Sequence, residues 1–296
     1  MNEQQKNKLM LLASGASIAT TTALLILKTG AFFLTGSIAI LSSLFDSVQD
    51  FMTSFVNMVA VHQAIQPADN THRFGHGKAQ GIGSLLQAFI IAVSAVLLLI
   101  ESITHLLHRQ SIEHIGLGVT VILISVILTF LLVTFQNFVI RKTDALSIKA
   151  DKAHYGGDIL MNLGVLISLL ISKYLGWQWI DGAFGILVAL YLFHAIWKIM
   201  QEACAMLMDK ELPENIRKNV SSLVLKVPLV KNISALRTRE GGNKQFVQFN
   251  VQFDGKVSLK TVHDQLDLIE QILHENYPNM EVIIHAEPYE IKQKKQ

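Results

Sequence analysis

The sequence contains a single cysteine, Cys204. One thiol cannot form an intrachain disulfide or build a thiolate metal site, so any metal chemistry must use histidine and carboxylate side chains. The net charge of +2 is small and gives no indication of a nucleic-acid partner. The helical motif His-Glu-x-x-His is also absent, which argues against a zinc metalloenzyme.

Charged side chains are scarce up to Met208 and frequent from Asp209 onward. Hydrophobic residues make up 51% of the chain, and the mean hydropathy of +0.39 is high for a soluble protein. This contrast predicts a membrane domain over residues 1–208 and a soluble domain over residues 209–296. The two lysines near the N-terminus lead directly into a long apolar stretch, so we expect no cleaved signal peptide.

Six stretches have the length of about 20 mainly apolar residues that a transmembrane helix needs. They cover approximately residues 8–27, 37–62, 82–107, 115–140, 145–172 and 179–203. An even number of spans places both termini on one side. That side holds most of the loop lysines and arginines, whereas the opposite loops hold only Lys28, Arg109 and Lys173. The positive-inside rule therefore predicts a cell-membrane protein with both termini in the cytoplasm.

Two of the predicted spans carry ionisable side chains at helical spacing. Asp46 and Asp50 lie four residues apart in the second span, and His154 and Asp158 lie four residues apart in the fifth. Such groups are costly at membrane depth and are found facing a cavity with a partner. Three carboxylates and one imidazole suit a tetrahedral divalent metal, zinc first. A proton relay without metal is the main alternative.

Further candidate ligands occur in a loop and in the soluble domain. In the segment QPADNTHRFGHGKAQG, the side chains of Asp69, His72 and His76 are spaced to share a cation, although a polar loop that happens to hold two histidines explains the pattern equally well. In the soluble domain, three more side chains could form a third site, although surface histidines are usually solvated. They are His263, His285 and Glu287.

The soluble domain has the pattern α-β-β-α-β. Pro213 begins an amphipathic helix, and a hairpin signal at residues 240–243 joins strands at 233–239 and 245–253. Ser258 can cap a second helix, and residues 281–285 form the last strand. We expect an open sheet with helices on one face.

With these residues in view, the chain resembles the cation diffusion facilitators, the family of proton-coupled divalent-metal exporters, and its bacterial zinc and iron efflux members in particular. The resemblance covers nearly the whole length and rests on SLFDSVQD, PADNTHRFGHGK, HYGGD, RTR and VIIH. It implies that the quartet of spans two and five is the transport site, with a makeup associated with zinc and cadmium. It also implies that the trio of loop residues is a cytoplasmic metal site.

The resemblance further implies a homodimer in the lipid bilayer. Lys78 and Asp209 match a pair that forms salt bridges near the membrane surface and holds the dimer together. The soluble domain matches a metallochaperone-like dimerisation domain, but it departs from the family pattern. Asn232 and Asn250 replace histidines, and Glu287 replaces an aspartate. Because amide oxygen is a poor zinc ligand beside imidazole, we expect one weaker site there, or none.

The sequence therefore predicts a transporter that binds Zn²⁺ as its substrate and exchanges it for protons by alternating access. Metal binding displaces protons from carboxylate and imidazole ligands, and His154 is the natural proton carrier. A membrane metal sensor that does not transport is one alternative. The same antiporter with iron, manganese, cobalt or nickel as its main substrate is another, because aspartate and histidine also serve those metals.

Overall fold

The computed structural model describes residues 3–35, 38–107, 116–175, 179–242 and 244–289. The chain divides into two compact units. The helical unit comprises Met1–Pro67 and Lys78–Cys204, and the tail unit comprises Ala68–Gly77 and Ala205–Gln296. The short loop Ala68–Gly77 thus belongs to the tail unit. This division differs from the single predicted boundary after residue 208.

The described part of the helical unit contains six long helices. They are α1 (Glu3–Thr35), α2 (Ile38–Ala64), α3 (Ala79–Leu107), α4 (Gly116–Thr143), α5 (Leu146–Leu175) and α6 (Ile180–Leu207). Among the described residues, four segments are long and apolar enough to cross a membrane: Glu3–Leu34, Ala79–Leu107, Thr120–Thr143 and Gly182–Leu207. Helices α2 and α5 are as long, but their ionisable and polar side chains lower their hydropathy. The count of six spans stays a prediction.

Helix α1 is longer than the sequence analysis predicts. The predicted first span ends at Leu27 and leaves Lys28 in a loop, but the helix continues to Thr35. Lys28 is therefore a helical residue, and it is only 8% exposed. The loop assignment of Lys28 is wrong, because a single lysine in an apolar run does not end a helix when its ammonium finds partners inside the protein.

The helices pack through small residues and an apolar cluster. Gly83 of α3 meets α2 so closely that a Cβ atom at this position would lie 2.2 Å from the Cβ of Ala60, so only glycine fits. A buried cluster joins α1, α2, α4 and the start of α5. Its members are Met10, Ala13, Val61, Val139, Ala145 and Ile148.

The tail confirms the predicted α-β-β-α-β order. Its elements are α7 (Glu214–Val224), β1 (Asn232–Gly241), β2 (Lys244–Phe253), α8 (Leu259–Asn276) and β3 (Met280–Pro288). The strand order is β1-β2-β3, with β1 antiparallel and β3 parallel to the central β2. The parallel pair requires a crossover, which α8 supplies.

The tail core follows from the alternation of β2. Val247, Phe249, Val251 and Phe253 are all buried, and they pack with Val220, Val224, Ile269 and Leu273 of the two helices. The predicted cap of α8 is confirmed, because the Ser258 hydroxyl accepts a hydrogen bond from the Thr261 amide at 3.2 Å. Apolar side chains on one face of each of these elements thus form the core of the tail.

Candidate metal sites

Helices α2 and α5 bring three predicted ligands together in the helical unit. The Nε2 atom of His154 lies 3.0 Å from Oδ1 of Asp50 and 3.9 Å from Oδ2 of Asp158. One ligand atom from each side chain lies within 4.8 Å of the other two. His154 is buried, whereas Asp50 and Asp158 are partly accessible. Two carboxylates and an imidazole at these distances can share one cation.

Asp46 does not join this group. It lies one helical turn before Asp50 on α2, which places it on the same side of the helix but at another level, and its side chain is exposed. The group that the structure gathers therefore contains three of the four predicted ligands. Asp46 can contribute only if α2 or the side chain moves toward the other three.

Lys28 is a charged neighbour of this site that the sequence analysis misses. Its Nζ atom donates a hydrogen bond to the carbonyl oxygen of Ser43, at 3.0 Å, in the first turns of α2. The charges that act on the ammonium are those of Asp50, Asp46 and Asp158, in decreasing order. The nearby carboxylates therefore offset part of the cost of burying it, and burial remains the larger effect.

A completely buried carboxylate, Asp151, lies one turn before His154 on α5. Its Oδ2 atom accepts hydrogen bonds from the Ser17 hydroxyl of α1 at 2.6 Å and from the Gln136 amide of α4 at 2.7 Å. Asp151, Ser17 and Gln136 are all completely buried. This network cannot be recognised from the sequence, since its members lie on three helices that only the fold brings together.

Tyr155 supports the adjacent His154. Its ring centroid lies 5.3 Å from that of His154, and its hydroxyl forms a hydrogen bond with the Ser54 hydroxyl of α2. Tyr155 is 1% exposed, so its ring has little freedom. The contact with α2 holds this turn of α5 beside the helix that carries Asp50.

The loop of the tail unit brings Asp69, His72 and His76 together, as their spacing suggests. Oδ1 of Asp69 lies 3.6 Å from Nδ1 of His72, and Oδ2 lies 3.5 Å from Nε2 of His76. The two imidazole centroids are 4.4 Å apart. One ligand atom from each of the three side chains lies within 4.8 Å of the others.

A tight turn orients the Asp69 carboxylate. Its Oδ1 atom accepts hydrogen bonds from the amides of His72 and Thr71, at 2.6 and 2.7 Å, and from the Thr71 hydroxyl at 2.8 Å. These bonds, first of all the one from the His72 amide, lower the pKa of Asp69 from 3.8 to about 2. Gly75, with φ of +82°, closes the turn in a conformation that favours glycine.

Phe74 anchors this loop to the sheet of the tail. The Arg239 guanidinium lies 4.6 Å from the centroid of the Phe74 ring and 4.8 Å from that of Phe246, and it pairs with Asp209 at 3.3 Å. Lys78, the other member of the predicted dimer pair with Asp209, belongs to the helical unit. The pair stays a prediction.

We expect His72→Ala to weaken zinc binding at the loop at least about tenfold. The turn around Asp69 should persist above pH 3.8. The lowered pKa of Asp69 gives a contribution to stability that is complete above pH 3.8 and is lost only as the pH falls toward about 2. Asp69→Asn, which removes a charged ligand oxygen, should also weaken zinc binding. Isothermal titration of the full-length protein with Zn²⁺ measures both effects. Equal affinity in wild type and His72→Ala would contradict a loop site.

The structure does not gather the three predicted tail ligands. Among the described residues, His263 lies 3.9 Å from Asp267, and His285 lies 4.0 Å from Glu287, but these side chains form no group of three. The Asn250 amide donates a hydrogen bond of 2.6 Å to Glu287, and the Asn232 amide donates one of 3.1 Å to Gln252. The two asparagines are thus engaged with neighbours across the sheet.

Two family models match the chain in the order of its two parts. The cation efflux transmembrane domain matches residues 15–208, and the cytoplasmic domain of cation efflux proteins matches residues 212–289. The chain is a cation diffusion facilitator. The family resemblance that the sequence motifs indicate is therefore confirmed for the membrane and the cytoplasmic parts of this facilitator.

Relatives match the facilitator over nearly its whole length. The cation-efflux pump FieF of Klebsiella pneumoniae subsp. pneumoniae is 35% identical over 285 residues, which cover 96% of this chain and 95% of the relative. FieF of Salmonella choleraesuis is 36% identical over the same shares of both chains. Among solved structures, the metal-bound C-terminal domain of the CzcD transporter from Thermotoga maritima is 26% identical, covers 27% of this chain and 93% of its own, and has a TM-score of 0.25.

Proposed function

We propose that this cation diffusion facilitator exports a divalent metal ion, zinc first, from the cytoplasm in exchange for protons. The observation that carries the proposal is the group of Asp50, His154 and Asp158, whose ligand atoms lie within 4.8 Å of one another between α2 and α5. Carboxylate oxygen and imidazole nitrogen suit zinc and the neighbouring divalent metals. The name of the FieF relatives, cation-efflux pump, supports the direction of transport.

Exchange with protons follows from the chemistry of the donors. A carboxylate and an imidazole bind metal only when deprotonated, so protons and metal compete for the same atoms. Protons that arrive from the acidic side displace the ion there, and their release on the other side makes the site available again. His154, as the only imidazole of the group, is the proposed proton carrier.

The exchange requires a site that is accessible from each side in turn. We propose that all six long helices span the bilayer, with both termini in the cytoplasm of a cell-membrane homodimer. The loop group of Asp69, His72 and His76 would then be a cytoplasmic metal site, and the tail would bring two protomers together by packing, since its asparagines leave no group of three ligands among the described residues.

Zinc flux into proteoliposomes tests the proposal. Purified protein is reconstituted into vesicles with an acidic interior and a trapped zinc-sensitive dye, and protein-free vesicles are the control. We expect flux that rises with the pH difference and stops when an ionophore collapses it. Parallel assays with cadmium, iron, manganese, cobalt and nickel rank the substrates. Zinc binding without flux would contradict export and favour a metal sensor.

A further inference from the structure

Lys28 is a buried lysine beside the proposed metal site. It lies on α1 and is only 8% exposed. Its Nζ atom donates a hydrogen bond of 3.0 Å to the Ser43 carbonyl of α2, which holds the side chain against that helix. Ser43 precedes Asp46 by three residues on the same helix. The ammonium therefore lies against the helix that supplies two of the predicted ligands.

The partner of this hydrogen bond is a neutral carbonyl, so the bond alone does not balance the charge. A buried ammonium is costly unless anions offset it. The charges that favour the ammonium come from Asp50, Asp46 and Asp158, which are the carboxylates of the predicted transport site. Lys28 and these three side chains thus form one electrostatic group across α1, α2 and α5.

The charges of this group indicate what it can hold. When Asp46 moves in beside Asp50 and Asp158, three carboxylates and one ammonium leave two negative charges, while His154 is neutral when it acts as a ligand. One divalent cation brings the group to neutrality, and two protons do the same. Without the lysine, a divalent ion would leave one negative charge, and three protons would be needed to replace the metal. Net charge is costly at membrane depth.

We propose that Lys28 is the fixed counter-charge of the metal site and matches the site to divalent ions. The inference rests on the proposed transport function and assigns a residue to its charge balance. Lys28 is a positioning residue and not a ligand, because an ammonium group has no lone pair to offer a cation. Its charge repels the bound ion, which weakens binding but speeds release.

Substitution of Lys28 tests this role through a parallel decrease in two kinetic constants. In reconstituted vesicles at constant pH, Lys28→Gln and Lys28→Met should lower the zinc KM by about tenfold and also lower the maximal rate, since an ion that is held more tightly leaves more slowly. Lys28→Arg keeps the charge and should retain both constants within about twofold. Lys8→Gln, on an exposed part of the same helix, is the matched control.

The alternative outcomes separate the inference from the proposed function. An unchanged or higher KM in Lys28→Gln and Lys28→Met, beside wild-type transport in the control, would show that Lys28 has no counter-charge role. Equilibrium zinc binding in detergent provides the second readout, with an expected decrease in Kd of about tenfold for both variants. If the wild type moves no zinc, the transport proposal fails, and this binding measurement alone decides the role of Lys28.

Discussion

Asp50→Ala should reduce zinc flux to the level of protein-free vesicles. Asp50 is the only ligand that α2 contributes to the gathered group, and its Oδ1 lies 3.0 Å from Nε2 of His154. Its removal leaves His154 and Asp158, which both lie on α5, so the gathered group no longer links the two helices. Asp158→Ala should have the same effect, because the two remaining ligands, Asp50 and His154, are too few to hold the ion. Zinc flux into vesicles that contain the trapped dye, under a fixed pH difference, measures the loss.

Asp46→Ala should be milder, and this difference tests the geometry. Asp46 is exposed and lies outside the gathered group, so we expect zinc KM to rise about tenfold, equivalent to about 1.4 kcal/mol of binding, with flux still measurable. Asp264→Ala, which removes an exposed carboxylate from α8, should behave as wild type. Transport by Asp50→Ala at the wild-type rate would show that the group is structural.

Periodicity predicts the tail well because each of its elements buries one face. The alternation of β2 and the three- and four-residue spacing of α8 both reflect contact with the same core, so the local pattern carries the information. Asn250 and Glu287 show the limit of such a pattern. They lie on adjacent strands, where Asn250 is paired with His285 and its amide reaches Glu287, and this contact depends on the register of two distant segments.

Periodicity also locates Asp50, His154 and Asp158, because ionisable residues are conspicuous in apolar helices. It does not distinguish Asp46 from Asp50, since four residues along a helix change the level of a side chain but hardly its direction. Hydropathy misplaces Lys28 for a related reason. A lysine in an apolar run resembles the end of a span unless one knows that the carboxylates of another helix lie beside it.

The network around Asp151 is the clearest case of information that the sequence lacks. Ser17 lies far along the chain from Gln136 and Asp151, and each of the three is an ordinary polar residue in its own helix. Their hydrogen bonds of 2.6 and 2.7 Å arise only when α1, α4 and α5 pack together. The network therefore reports helix packing and is separate from the ligand group one turn further along α5.

Asp151→Ala should destabilise the helical unit by about 2–4 kcal/mol, because it leaves a buried void and removes the acceptor of two buried donors. Asp151→Asn keeps the volume and an acceptor oxygen, so we expect a loss of about 1 kcal/mol or less. Thermal unfolding of the full-length protein in detergent measures both, with Tm lower by roughly 5–10 °C for the alanine variant. A Tm equal to that of wild type would show that the network contributes no stability.

Zinc separates the role of Asp151 from that of the ligands. A ligand that binds only the folded state raises Tm by an amount set by its concentration and Kd. Because Asp151 is not a member of the gathered group, saturating zinc should raise the Tm of Asp151→Ala by about as much as that of wild type, although from a lower starting value.

In Asp50→Ala the starting Tm should change little, but the part of the zinc-induced rise that comes from the helical unit should disappear. A double variant with His72→Ala removes the loop contribution, so that the remaining rise reports the helical site alone. If zinc fails to stabilise Asp151→Ala in that background, Asp151 acts on metal binding as well as on packing.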